Sequence, residues 1–426
     1  MARTRSGAEQ LGISERFLLL LISAVQCVNV LDFMIVMPLG PDFARDLGIP
    51  ISRLGIIGGS YTASAAVAGA LGSKYLDRFD RRRALACALF GLVVATALAG
   101  FAYDLWTLIA ARLLAGIFGG PASSIALAII ADVVPSKRRG RALGMVMSGF
   151  AVASVFGVPI SLELARHLGW RAPFFAVAAL GFVVTVWAIL QLPPIRIHMS
   201  APGQRSRIWV FLRDPNVLFT LAGTFTVMVS SFCIVPNLSA YLQHNLGYPR
   251  NQLSALYLAG GSISFVVTRV VGSYVDRLGA TRVATAGSLI FALILGGTFV
   301  LELPQLPAML IFATFSVSTA VRNVALNTLS SRVPFPHERA RFMSLQSAMQ
   351  HLAAAFGASL GSALLVERAD GQLGGMPLVA SIAIVFGLCL PLLLIRVERL
   401  LAMRRPSLPE AWLVEAEVAR SSIPPM

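Results

Sequence analysis

Few chargeable side chains of this 426-residue chain fall inside its long apolar runs, and those few could do chemistry. Asp32 lies in FLLLLISAVQCVNVLDFMIVM. A carboxylate turned toward hydrocarbon costs about 2.5–3.5 kcal/mol or more, so Asp32 is expected to face a cavity or a partner. Gln26, Asn29 and Asp32 recur at every third residue and put a polar stripe on one helix face. Burial favours a neutral carboxyl, whereas a nearby cation favours the carboxylate. A group pulled both ways can exchange protons between two states. The alternative is a structural aspartate pinned to a backbone group or a neighbouring arginine.

Arg112 is the natural partner. Asp32 precedes Pro38 by six residues and Arg112 follows Trp106 by six. At about 1.5 Å per residue, both sit roughly 9 Å inside the same boundary, a depth that permits pairing; otherwise Arg112 is held by carbonyls of its own bundle. Arg322, in STAVRNVALN, has Asn323 and Asn327 one turn apart on a shared face. Without a partner it would favour an anionic or strongly polar ligand; with one it is a clamp between helices. His351, in QSAMQHLAAAFG, titrates near neutral pH when placed by a partner, and otherwise serves as a hydrogen-bonded packing residue.

The elements that must hold these residues follow from composition. The chain is 56% hydrophobic and 13% charged, whereas a soluble domain keeps roughly a quarter of its residues charged. Spans of about 20 apolar residues cross a bilayer as helices, and the runs are too long and too poor in alternation for barrel strands. Twelve spans are expected, near 16–38, 54–76, 84–103, 106–131, 142–165, 172–192, 217–241, 253–274, 283–301, 307–330, 342–366 and 377–396. The first is too long for a signal-peptide core and lacks a small-residue cleavage site, so it is read as a retained span. The four cysteines fall in apolar runs without metal-ligand spacing and read as free thiols. No GxxxxGK[ST], HExxH or CxxC occurs. No cofactor, metal or enzymatic activity is therefore expected.

The net charge of +15 could indicate nucleic acid, but its distribution argues for topology. Arg81, Arg82, Arg83, Arg138, Arg139, Arg277, Arg282, Arg332 and the tail arginines crowd one side, whereas the opposite loops hold mainly Arg45, Arg53, Arg166, Arg171, Arg250 and Arg368. That bias puts both termini in the cytoplasm. Landmarks also repeat at a constant offset of 199, pairing Pro50 with Pro249, Leu54 with Leu253, Asp77 with Asp276 and Pro135 with Pro334. The expected organisation is an all-α membrane protein of two pseudo-symmetric six-helix bundles, 1–192 and 216–396. A cytoplasmic linker, 193–215, joins them, and a cytoplasmic tail, 397–426, follows. Parallel repeats of this kind enclose a central site near the bilayer midplane.

Two stretches, GSKYLDRFDRRRAL and GSYVDRLGATRVAT, each follow an apolar run with an Asp-Arg pair. At these residues the chain resembles the major facilitator superfamily, whose loop between spans two and three reads Gly-x-x-x-Asp-Arg-x-Gly-Arg-Lys. Gly272, Asp276, Arg277 and Gly279 fit the second copy; Asp77, Arg78, Arg81 and Arg82 fit the first, where Ser73 and Asp80 stand in place of glycines. RLLAG at Arg112 and a worn GVPIS at Gly157 are similar to motifs of the twelve-span drug:proton antiporters, and the flavour is that of arabinose-efflux-like permeases. The resemblance implies that Asp77 faces the amino-terminal end of the eleventh span and that Arg81 reaches Asp132. Together they would form a latch between the halves that breaks and reforms; a solvated basic turn is the plainer reading.

The expected function is proton-coupled export of a small organic solute or drug by alternating access, from the inner membrane. The alternatives are an importer or uniporter of a polar or anionic metabolite, and a non-transporting sensor or assembly partner on the same scaffold. The partners expected are a small-molecule substrate, protons and the lipid bilayer, with no nucleic acid.

Overall fold

The computed structural model describes residues 14–75, 79–195, 213–301, 306–334 and 339–404. The helices are α1 (Glu15–Ile35), α2 (Gly40–Leu47), α3 (Leu54–Tyr75), α4 (Arg81–Gly100), α5 (Leu105–Val133), α6 (Ser136–Val152), α7 (Val158–Leu168), α8 (Arg171–Gln191), α9 (Pro215–Phe232), α10 (Val235–His244), α11 (Leu253–Leu278), α12 (Ala280–Leu295), α13 (Ala308–Ser330), α14 (Arg339–Leu364) and α15 (Met376–Arg404). A minimal antiparallel hairpin, Val366–Glu367 with Leu373–Gly374, joins α14 to α15.

Local chemistry sets the boundaries. Asp80 caps α4 by accepting from the Arg82 amide, and Asp214 caps α9 with Pro215 at its first position. Gly48 ends α2 at φ +62°, a conformation that favours glycine. The expected span 217–241 is broken between α9 and α10, where Pro236 opens the second piece and cannot donate to a continuing helix. The span expected at 142–165 is α6 and α7 joined by a π turn at Ala153–Gly157. The last helix continues to Arg404, beyond the expected end of its span.

Eleven helices are long and apolar enough to cross a membrane among the described residues. The expected eleventh span, α14, is as long but is not one of them: Gln346, Gln350 and His351 with several serines lower its apolarity.

Packing repeats between α1–α8 and α9–α15. The pairs α1–α6, α1–α8, α3–α5, α4–α5 and α4–α8 have counterparts in α9–α14, α9–α15, α11–α13, α12–α13 and α12–α15. Across the two sets, α3 packs on α14 and α11 packs on α7 and the π turn before it. Small residues make this approach possible. A Cβ on Gly261 would lie 2.9 Å from the Ser154 carbonyl oxygen, and one on Gly55 would meet Ala358 and Ser362.

Among the described residues, the apolar core is continuous across both sets at one end. There Ile35, Phe43 and Trp170 share a cluster with Tyr241, Phe299 and Met376. Toward the arginine-rich end it divides in two. Leu18, Leu85, Ile129 and Val184 form one cluster; Val217, Val275, Val333, Phe342 and Leu394 form another.

Candidate functional site

The site begins with how α5 starts. Asp104 and Thr107 form a capping box, with the Thr107 amide donating to Asp104 Oδ1 at 2.7 Å. The Thr107 hydroxyl, then its amide, hold the Asp104 carboxyl below the usual aspartate range. This fixed start places Arg112 two turns along the helix. Gly116, Gly119 and Gly120 follow and face α3; a Cβ on Gly120 would lie 2.6 Å from the Ala65 carbonyl oxygen. The close approach brings the Tyr61 ring 4.9 Å from the Arg112 guanidinium carbon, within cation–π range.

Arg112 and Asp32 are both 0% exposed, and two hydrogen bonds join their side chains. Nη1 donates to Oδ1 at 3.0 Å and Nη2 to Oδ2 at 2.9 Å. Nη2 also donates to the Asp32 carbonyl at 3.2 Å. The Thr96 hydroxyl lies 2.7 Å from Oδ1 and 2.8 Å from the Leu92 carbonyl, so its one proton serves a single acceptor at a time. Arg112 Nε has no partner among the described residues. The polar stripe continues along α1. Asn29 donates to the Gly119 carbonyl at 2.6 Å and accepts from the Tyr61 hydroxyl at 2.9 Å; Gln26 accepts from Ser123 at 3.1 Å. The stripe therefore faces α5 and α3, not the surface.

Ser231 follows Asp32 by 199 residues, and there the second set repeats the geometry with different chemistry. Arg322 is also 0% exposed. It donates to the Ser230 and Ser231 hydroxyls at 2.9 and 3.1 Å, and its guanidinium carbon lies 3.6 Å from the Phe291 ring centre. No carboxylate pairs with it among the described residues. Asn323 turns back to the Thr319 carbonyl of its own helix, whereas Asn327 is exposed and accepts from Gln346 at 3.4 Å. His351 is half-buried on α14 and makes no hydrogen bond or ion pair among the described residues. The geometry thus joins Gln26, Asn29, Asp32 and Arg112 into one network. Arg322 stands in a second, and Asn327 and His351 stand in neither.

Arg81 Nε lies 3.2 Å from Asp132 Oδ2, tying the start of α4 to the end of α5. Asp77 and Arg78 lie outside the described residues. In the second copy, Asp276 faces Arg332 at 3.7 Å, both exposed, and Arg277 is exposed as well. Gly272 has open space around it. Gly279 adopts φ +89° at the start of α12, where Glu398 of α15 accepts from the Thr281 amide at 3.2 Å.

Hydrogen bonds between the two sets gather where the core is continuous. Arg250 Nε donates to both oxygens of Asp42 at 2.8 and 2.9 Å. Ser239 donates to the Pro38 carbonyl at 3.3 Å, and the Ile51 amide to Glu367 at 2.9 Å. Just inward, Phe33 and Phe232 bring ring centres within 5.9 Å across the same divide. Local sequence does not mark this clasp, because Arg250 stands only as one of the loop arginines of its side and its partner Asp42 lies 208 residues away. Thr96, Tyr61 and Ser230 were also missed, being unexceptional residues of apolar helices.

Comparisons with known proteins agree on one family. The sequence profile of the Major Facilitator Superfamily matches residues 22–358 and 220–421. A chloramphenicol resistance protein of Streptomyces lividans is 29% identical over 368 residues, covering 85% of this chain and 92% of that protein. Among solved structures, a bacterial homologue of the human lysosomal transporter Spinster, inward-facing and occupied, superposes with TM-score 0.68 at 17% identity, covering 90% of this chain and 97% of that one. A D-xylose–proton symporter superposes with TM-score 0.70 at 18% identity, covering 89% and 97%. These two establish likeness of fold alone.

Proposed function

Because this chain belongs to the Major Facilitator Superfamily, we propose that it exports a small organic solute or drug in exchange for protons, by alternating access. It is a multi-pass membrane transporter and not an enzyme. In this reading α14 crosses the membrane too and brings the number of spans to twelve, and residues 1–192 and 216–396 are the two moving halves. Residues 193–215 link them, and the arginine-rich end with both termini and the 397–426 tail lies in the cytoplasm of an inner membrane. A core joined at one end and divided at the other supports a transporter closed to the outside and opening inward.

The single observation that carries proton coupling is the sealed Asp32–Arg112 pair. Protonating Asp32 removes the charge that Arg112 needs. Taking one partner from a buried ion pair costs about 3–5 kcal/mol. Shifting a two-state equilibrium from 1:99 to 99:1 takes about 5.5 kcal/mol. In this proposal the intact pair belongs to one orientation of the halves, so discharging Asp32 biases them toward the other, and Thr96 can turn its hydroxyl to Leu92 as the carboxylate is discharged. The Arg81–Asp132 pair is already formed within the first half here, so in this reading it positions the loop from which Asp77 and Arg78 would latch the cytoplasmic ends in the opposite state.

Chloramphenicol is the first substrate to try, given the Streptomyces relative. Inverted vesicles carrying the full chain should take up labelled drug when acidified inside, and Asp32→Asn should abolish that dependence. Transport indifferent to both the pH gradient and the substitution would remove the proposal. Arg322, a buried cation with no carboxylate partner among the described residues, favours a second reading in which a polar or anionic metabolite is imported; the direction of labelled-solute movement separates the two.

A further inference from the structure

A cavity of about 400 Å³ lies outside the transport network, where the start of α4 meets the end of α8. It is lined by Asp80, Arg82, Arg83, Ala86, Ile189 and Pro194. Its charges are unequally free. Asp80 Oδ1 accepts from the Arg82 amide at 2.9 Å, so that carboxylate already caps the helix. Arg81 turns away to Asp132. Arg82 leans on the Ile189 carbonyl, which leaves further guanidinium N–H groups to donate. Arg83 is exposed and pairs with no acid among the described residues. The cavity therefore presents two guanidinium groups against one engaged carboxylate.

What lies beside it is apolar and faces outward. On α4, Cys87 and Phe90 follow Arg83 at helical spacing and are exposed; on the adjoining α8, Val186 and Leu190 are exposed. A basic cavity heading an apolar stripe on two packed membrane helices fits one kind of ligand: a phosphate-bearing head with acyl chains. Arginine is suited to phosphate because its planar fork bonds two oxygens at once, and basic pockets between membrane helices hold anionic head groups.

We infer that Arg82 and Arg83 form a binding site for the phosphate of an anionic phospholipid, whose acyl chains run along the exposed faces of α4 and α8. The inference is independent of proton coupling and of the transported solute.

Native mass spectrometry of the full chain in mild detergent tests it, with phosphatidylglycerol and phosphatidylcholine supplied in equal amounts. The wild type should retain phosphatidylglycerol preferentially, and each arginine removed should lower that retention about fivefold, at about one surface charge's attraction apiece. Arg83→Gln is the safer variant, since Arg83 holds no hydrogen bond or ion pair among the described residues; Arg82→Gln with Arg83→Gln is the stronger one, read beside its melting temperature. Equal retention by the wild type and Arg83→Gln overturns the site. So does displacement of the lipid by millimolar inorganic phosphate, which would make it a pocket for free phosphate.

Discussion

Removing the Asp32 charge without removing that of Arg112 leaves a guanidinium buried alone. Asp32→Asn and Arg112→Met should therefore each cost about 3–5 kcal/mol. The double variant should cost clearly less than the sum, as read by SDS-induced unfolding in mixed micelles; strict additivity would show that the two are not coupled. Asn237 makes the opposite case. It is fully buried, and neither its amide oxygen nor its nitrogen has a partner among the described residues. Asn237→Leu should stabilise the protein by about 1–3 kcal/mol, and a lower unfolding midpoint would overturn that account. The Asp32–Arg112 pair was legible in sequence because helical rise turns residue counts into depth. Thr96 was not legible, since a threonine in a helix commonly bonds its own preceding turn, and its hydroxyl does reach Leu92. Nor was Tyr61, whose hydroxyl finds Asn29 only because glycines let α5 approach α3.

The helix as an element owes its placement to its ends, and α5 gives a pH-dependent test. The Asp104 carboxyl is held below its ordinary value, first by the Thr107 hydroxyl. Its cap is thus fully present above the unfolded aspartate range and is lost as pH falls through the lowered folded value. Amide exchange at residues 105–108 should accelerate, beyond the intrinsic trend, only in that acid window. Asp104→Asn should flatten the dependence; an unchanged profile would assign it to another group. Helix positions were well marked in the sequence by apolar runs and by the 199-residue offset. The break between α9 and α10 and the π turn at Ala153–Gly157 were hidden, because local hydropathy stays high through both.

The molecule as a whole is fastened at one end. If the clasp holds that end shut, Arg250→Gln should enlarge the distance between spin labels at Asp46→Cys and Asn251→Cys, adding a longer population to the distribution. An identical distribution would show that the apolar contacts suffice. The two-set architecture could be read from the repeat, whereas the clasp depends on tertiary partners 208 residues apart that no local pattern announces. One helix ties the whole together in a further sense. α14 is the long helix too polar to count among the eleven, and it packs on both α3 and α9. Hydrocarbon alone offers such a segment little, so protein neighbours must hold it in place. Both neighbours leave the ribosome before it does. The order of synthesis thus prepares a berth for the segment that would fare worst alone in lipid, and the late arrival completes the assembly.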